Sequence, residues 1–360
     1  AQTAQALFEQ GQDASQHGDF EPAIRHWQAA LKTDNLDTQL HIHILIQLAT
    51  AYQALGLSDP ARDTLLQALP LADNQPLLQA TVLTNLSDIS LATRQDTQAH
   101  DYAYKSLEIL PKEAPALIRA TLLNNLGNVQ TVEAYYAKAI ETYTDSIKFA
   151  QTAGNPLLQA KILINLAYAY SKTEQWQTAT KSLESALQQL DAIDHNSYDK
   201  TFSLLSVGAW AQRLDRQAPV TDAKANRQSP KAIALAALNK ALTLAQQLEN
   251  ARLLSYAYGY LGHFYETEQR YADSLPLTRQ AIFFAQKDPT SFFTQQNQAS
   301  EILYRWQWQL GRLFKATHKI DQAIESYRNA VNSLQPVRWE LAIGYRKSLL
   351  SFRDIVGPVY

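Results

Sequence analysis

Pro76-Leu77-Leu78-Gln79-Ala80 recurs as Pro156-Leu157-Leu158-Gln159-Ala160, with Asn85-Leu86 and Asn165-Leu166 at the same offset. The copies lie 80 residues apart, and halfway between them stands Pro115-Ala116-Leu117-Ile118-Arg119-Ala120, leading to Asn125-Leu126-Gly127. The 360-residue chain is therefore written in units of about 40, and self-similarity at such a period is the signature of a repeat architecture.

With that register fixed, a small residue recurs in the middle of the first helix of each unit: Gly11, Ala49, Ser87, Gly127, Ala167, Gly208, Gly262 and Gly311. Twelve positions on, in the second helix, lie Ala23, Ala61, Ala99, Ala139, Ala179, Ala234 (after a longer gap), Ser274 and Ala323. Seven further come Ala30, Ala68, Ser106, Ser146, Ala186, Ala241, Ala281 and Ala330. Two antiparallel helices approach to about 8–10 Å, closest where the side chains at their crossing are small. Large residues flank these points at helical spacing: Trp27, Leu65, Tyr143, Leu183, Leu238 and Tyr327 in second helices. They are expected to fill the space between successive units.

Boundary chemistry agrees. Pro76, Pro115 and Pro156 stand where first helices begin, where a missing N–H costs nothing. Gly18, Gly56 and Gly154 fall in turns between helices. No alternation of strand type is present, so the fold class is all-α.

A tight helix hairpin with small residues at its crossings, repeated about eight times, resembles the tetratricopeptide repeat (TPR) family, over roughly residues 4–335. These units are longer than the family's usual 34 residues. The resemblance implies a right-handed superhelix in which first helices line a concave groove, with 1–335 as the repeat array.

Two stretches depart from the pattern. Between Gly208 and Ala234 the spacing is 26 in place of 12, and the added stretch near 212–229 reads as a solvated loop or a partner-contact loop. After Pro336, Leu341, Tyr345, Leu349 and Phe352 share one face, which predicts an amphipathic capping helix over 336–354. Phe352 to Tyr360 resembles the segment that joins TPR repeats to a CHAT domain, a caspase-like peptidase module. Residues 355–360 would then begin a linker to a further C-terminal domain, making this region the partner-recruiting part of a longer protein.

Catalysis is not expected from this chain. It has no Cys, so thiolate zinc sites, disulfides and cysteine nucleophiles, the caspase-like one included, are excluded. Its eight His form no HxxxH or HExxH pair, and no glycine-rich phosphate loop or nucleophile elbow is present, so no metal or cofactor is expected. Lys and Arg number 32 against 34 Asp and Glu, a balance without general attraction for nucleic acid or anionic membrane. No stretch approaches the ~18 uninterrupted apolar residues of a membrane helix. The start Ala1-Gln2-Thr3, without Met, fits either a mature N-terminus left by signal-peptide removal or a trimmed chain.

The groove is the remaining workplace. The residue two before the small one in each first helix should face it, which gives Asn85, Asn125 and Asn165 in succession. A side-chain amide offers a donor and an acceptor, so such a ladder can pair with the backbone of an extended peptide. Its other reading is a set of bonds to neighbouring helices that only hold repeats in register. Toward the C-terminus the groove positions turn aromatic and basic: Tyr256, Tyr260, His263, Arg305, Trp308 and Arg312. Together they would anchor an acidic or carboxylate-bearing protein or peptide segment, and Tyr, Trp and Arg dominate binding hot spots. Trp306 and Trp308 cannot both face the groove, so one packs between units. The alternative from another class is a structural spacer or self-assembly element without a groove ligand.

Overall fold

The computed structural model describes residues 3–218, 229–287 and 297–334, with the backbone alone for 297–301. These residues form sixteen helices and no strand. In order they are α1 (Ala4–His17), α2 (Phe20–Ala30), α3 (Thr38–Ala54), α4 (Ser58–Leu71), α5 (Pro76–Ala92), α6 (Asp96–Ile109), α7 (Ala116–Val132), α8 (Tyr136–Thr152), α9 (Pro156–Lys172), α10 (Trp176–Asp191), α11 (Tyr198–Gln217), α12 (Pro230–Gln247), α13 (Ala251–Thr267), α14 (Tyr271–Lys287), α15 (Asn297–Ala316) and α16 (Ile320–Leu334). The chain divides into two compact units, with the first ending its helical run at Thr173 and the second beginning at Glu174. Unit 1 thus holds α1–α9 and unit 2 holds α10–α16.

Helix starts are capped by residues suited to the task. Thr3, Asp37, Asn155, Ser197, Ser229 and Asn250 each accept a bond from a backbone N–H of the first turn. Pro76, Pro156 and Pro230 open α5, α9 and α12, while Pro115 sits one place earlier, at the cap of α7.

All 24 small residues of the register are buried. Where the first- and second-helix members carry a hydroxyl, the close approach is visible as a bond: Ser87 donates to the Ala99 carbonyl at 2.8 Å and Ser274 to the Gly262 carbonyl at 2.6 Å. The third member of each set meets the start of the first helix. Ser106 donates to Ala80 O and Ser146 to Ala120 O, at 2.8 and 2.7 Å. Ala80 and Ala120 are the last residues of the quoted repeats, so their small size has the same cause.

The large flanking residues have a second contact besides the expected one. Tyr143 and Leu65 belong to cores that reach the next unit, through Ile162 and Leu166 and through Val82 and Leu83, and Trp27, Tyr143, Leu238 and Tyr327 also lie across the crossing of their own hairpins. A Cβ added to Gly11, Gly127, Gly208 or Gly311 would fall on the respective one of them. Trp27 Nε1 donates to Phe8 O of the paired helix at 3.1 Å. In these four hairpins the register therefore trades volume, glycine opposite a ring or leucine. Interiors packed to crystal-like density require such compensation.

The turns inside the hairpins follow a rule that composition concealed. Gly18, Gly56, Arg94, Ala134, Glu174, Gln269 and His318 all have positive φ, and each lies seven residues after the small residue of its unit. The one unit that breaks this rule is the lengthened one. There α11 continues unbroken to Gln217 instead of turning, so the first part of the expected loop at 212–229 is helix. Gln212 is buried and donates Nε2 to Tyr260 O at 3.0 Å, which fastens this extension to α13. Residues 219–228 lie outside the described residues, as do the expected capping helix at 336–354 and the linker at 355–360.

Candidate ligand-binding faces

First helices touch first helices within each unit: α5, α7 and α9 in unit 1, and α11, α13 and α15 in unit 2. Each run presents a row of side chains from the positions just before and after the buried small residue.

In unit 1 these are amides and a carboxylate. Asn85 Nδ2 donates to Thr81 O of its own helix at 2.9 Å. Asn125 Nδ2 donates to Asp88 Oδ1 on α5 at 2.6 Å, and Asn165 Nδ2 donates to Asn124 Oδ1 on α7 at 2.9 Å. The last two bonds cross between repeats, and both asparagines are buried. Asn125 Oδ1 is buried without a hydrogen-bond partner, a desolvation cost of about 1–3 kcal/mol. Burial pushes the Asp88 carboxyl up to about 6, against the opposing pull of the Asn125 bond and the Lys161 cation on α9. Beside them, Tyr143 donates to Asn128 Oδ1 at 2.7 Å, and burial raises its phenol above the ordinary range.

In unit 2 the face is aromatic. Tyr256 and Tyr260 stack one helical turn apart, with centroids at 6.1 Å, and both stand edge-on to the buried Trp306 ring of α15. Trp306 Nε1 donates to Ser255 Oγ at 3.0 Å. A Cβ on Gly259 would fall on the Trp306 ring, so α15 seats this indole only because α13 carries glycine there. Arg305 Nη1 donates to Tyr260 OH at 2.8 Å. On the other side of Tyr256, Phe202 of α11 meets it edge-to-face at 6.2 Å.

Two turns along α15, a charged cluster follows. Arg312 forks onto Glu266, with Nε to Oε1 at 2.6 Å and Nη2 to Oε2 at 2.7 Å. His263 Nδ1 lies 3.0 Å from the same Oε2. Burial pushes the Glu266 carboxyl up, but the bonds from Arg312 and His263 outweigh it and hold the group at about 2. Burial pushes the His263 imidazole down, and Arg312 and Arg216 push it further, with Glu266 opposing.

The expected cluster of six residues is thus divided. Tyr256, Tyr260 and Arg305 come together around Trp306, while His263 and Arg312 meet at Glu266. Trp308 joins neither group. It packs against Tyr304 at 6.1 Å and Tyr327 of α16 at 4.5 Å, on the hairpin's own side. About 100° per residue separates positions on a helix, so Trp306 and Trp308 point roughly 160° apart, and it is Trp306 that supports the tyrosines. Trp306 is the tryptophan that the sequence leaves to pack between units; Glu266 and Gly259 are not among the residues read from sequence. Among the described residues, no group of three His, Cys, Asp or Glu side chains could hold a metal ion, and no helix is long and apolar enough to cross a membrane.

No protein-family model matches the chain, and no curated protein matches it. Solved structures do. A signal-transduction ATPase with a tetratricopeptide repeat sensor from Pyrococcus horikoshii is 13% identical over 94% of this chain and 49% of its own, with a TM-score of 0.55. A Rap protein complexed with Competence and Sporulation Factor is 13% identical over 90% of this chain and 86% of its own, also at 0.55. The human IFIT1 dimer with PPP-AAAA is 13% identical over 93% of this chain and 73% of its own, at 0.53. These likenesses define the class: the chain has the helix-hairpin repeat fold of tetratricopeptide proteins.

Proposed function

We propose that this chain is a non-catalytic module that captures a protein or peptide segment on the first-helix face of unit 2. The observation that carries the reading is the pair of half-buried tyrosines, Tyr256 and Tyr260, braced edge-on by Trp306 and tipped by Arg305. Rigid aromatics of this kind supply contact area at small entropic cost, and Tyr, Trp and Arg concentrate binding energy. The Rap protein, similar in fold, is complexed with a Competence and Sporulation Factor, which favours a captured factor over a bare spacer.

Asn125 and Asn165 fit the register-holding role, whereas Asn85 bonds back to its own helix. One amide N–H of Asn125 and one of Asn165 bond across repeats to Asp88 and Asn124 in buried positions, which supports a tie between repeats over a peptide ladder. The wider context we propose is regulatory. The chain would recruit partners for a CHAT-type effector, a reading that rests on the sequence of residues 352–360 and is checked by reading the gene beyond Tyr360 for a Cys–His module.

The test is selection of binders from a displayed random-peptide library against the full chain, followed by affinity measurement on variants. Tyr260→Ala is expected to weaken the selected peptides about tenfold or more, within the range of hot-spot truncations. Asn165→Ala is expected to leave them nearly unchanged. No selected peptide, or equal affinity for Tyr260→Ala, contradicts the proposal. Tighter, Tyr260-dependent binding of a 5′-triphosphate oligoadenylate, the kind of ligand in the IFIT1 complex, would replace the peptide by RNA.

A further inference from the structure

The last described hairpin ends in an apolar stripe that the described residues leave uncovered. On α16, Ile320, Ile324 and Val331 are 54%, 51% and 47% exposed, and helical spacing puts them on one face with the half-buried Tyr327. Ile324, Tyr327 and Val331 stand one, four and eight residues after the small Ala323. At the same places after Ala139, α8 carries Ile140, Tyr143 and Ile147, and none of these is exposed. They share one core with Leu158, Ile162 and Leu166 of α9, the first helix of the next repeat. The stripe on α16 is therefore built as a contact between repeats.

The earlier junctions show how such a contact is matched. Antiparallel helices joined by a short turn bring together residues equidistant from that turn. Counted outward from the Thr152–Ala153 bond, Ile147 and Leu158 are each sixth and Tyr143 and Ile162 each tenth, while Ile140 and Leu166 are thirteenth and fourteenth. The α4–α5 junction repeats the rule. About the Asp73–Asn74 bond, Leu69 and Leu78 are each fifth and Leu65 and Val82 each ninth, again within one core.

The sequence that follows α16 obeys the same count. From Pro336, Val331 and Leu341 are each five residues away, Tyr327 and Tyr345 each nine, Ile324 and Leu349 twelve and thirteen, and Ile320 and Phe352 each sixteen. Glu325, exposed on α16, and Lys347 are each eleven away, so opposite charges would flank the seam.

We infer that residues 337–352 form a helix that covers Ile320, Ile324, Tyr327 and Val331 on α16, as α9 covers α8, and that this helix closes the repeat array. The closure follows from bulk. Leu341, Tyr345 and Leu349 match the spacing of Leu78, Val82 and Leu86 in α5 and of Ile118, Leu122 and Leu126 in α7. That alignment puts Ile343 where those helices have Ala80 and Ala120, and Leu350 where they have Ser87 and Gly127. At those places a paired second helix comes within hydrogen-bond reach of the backbone, through Ser106 and Ser146, or packs a ring on the glycine, through Tyr143. Isoleucine and leucine leave no room for a ninth second helix, and a terminal cap needs none.

A second copy of the chain is the competing occupant. Four side chains, three of them about half exposed, fall well short of the about 800 Å² per partner that a stable interface buries. A segment joined through Gln335 and Pro336 meets the stripe at an effective concentration on the order of millimolar, so the same small area suffices. The inference is independent of the peptide-binding reading.

The experiment uses the full chain, whose lack of Cys lets introduced pairs report alone. Val331→Cys with Leu341→Cys, and Ile324→Cys with Leu349→Cys, are expected to close intramolecular disulfides on mild oxidation, read as faster migration on non-reducing gels. In Val331→Cys with Ile343→Cys the second thiol is turned roughly 160° round its helix. That pair is expected to close about tenfold more slowly, because disulfide geometry is strict. Hydrogen–deuterium exchange of Tyr345→Asp with Leu349→Asp is expected to show lost protection in α16 and none lost in α1–α9. Equal closure of the 341 and 343 pairs, unchanged exchange in α16, or lost protection confined to other helices overturns the inference. Disulfide-linked dimers of Val331→Cys alone, together with sedimentation of the parent chain as a dimer, would give the stripe to a second copy and overturn it as well.

Discussion

Unit 1 and unit 2 share one small-residue register yet finish their first-helix faces in opposite ways. Across α5, α7 and α9 the face is written in asparagine and aspartate, and its donors are spent between repeats, Asn125 on Asp88 and Asn165 on Asn124. Across α11, α13 and α15 it is written in rings, with Tyr256 and Tyr260 half-buried edge-on to Trp306 and the Tyr260 hydroxyl bonded by Arg305. Amides buried between repeats direct at least one donor to the neighbouring helix. Aromatics brace one another and still present a face, so the same scaffold gives a tie in one unit and a candidate landing surface in the other.

The sharpest way to break that contrast is Trp306→Ala. Removing a fully buried indole costs about 3–5 kcal/mol, and denaturant unfolding should show that loss together with loss of the Tyr256–Tyr260 platform. Asn165→Ala, on the other face, is expected to cost only about 1 kcal/mol. Equal effects would erase the distinction.

Next in size is Asp88. Its folded pKa of about 6 lies above the model-peptide value of 3.8, so the folded state binds more protons than the unfolded state between those values. Stability of unit 1 should therefore fall as pH rises from 3.8 toward 6 and stay low above it. Asp88→Asn keeps an acceptor for Asn125 and should flatten this dependence, raising the melting temperature at pH 7.5. A variant with an unchanged pH profile would show that Asp88 is not the source. The smallest effect is at the turns. Ala134 has φ 64°, a left-handed conformation that costs an L residue about 1–2 kcal/mol. Ala134→Gly should recover part of this, about 0.5–1 kcal/mol after the entropy of the unfolded glycine, without altering any ligand response.

These differences also explain what was legible in sequence. The register could be read because steric exclusion at a crossing leaves only Gly, Ala or Ser, and glycine opposite Trp27, Tyr143 or Tyr327 completes the volume. The turn seven residues later could not, because Arg94, Ala134, Glu174, Gln269 and His318 carry no common chemistry; the surrounding hairpin imposes positive φ on whatever is there. The lengthened unit was read as a loop because its charges mask a helix that Gln212 and Leu214 anchor by burial. On α15 the register assigns Trp308 to the groove and leaves Trp306 to pack, but the tyrosines that Trp306 braces were not legible, because the glycine that seats it, Gly259, lies outside the periodic series. Glu266 and Arg312 are 46 residues apart, and no local pattern announces their bidentate pair.

The most direct measurement is hydrogen–deuterium exchange of the full chain with and without a library-selected peptide. The account predicts added protection in α11, α13 and α15, centred on the Tyr256–Tyr260 turn, with α5, α7 and α9 unchanged. Protection confined to α5, α7 and α9, or no protection in any first helix at a saturating peptide concentration, would contradict it.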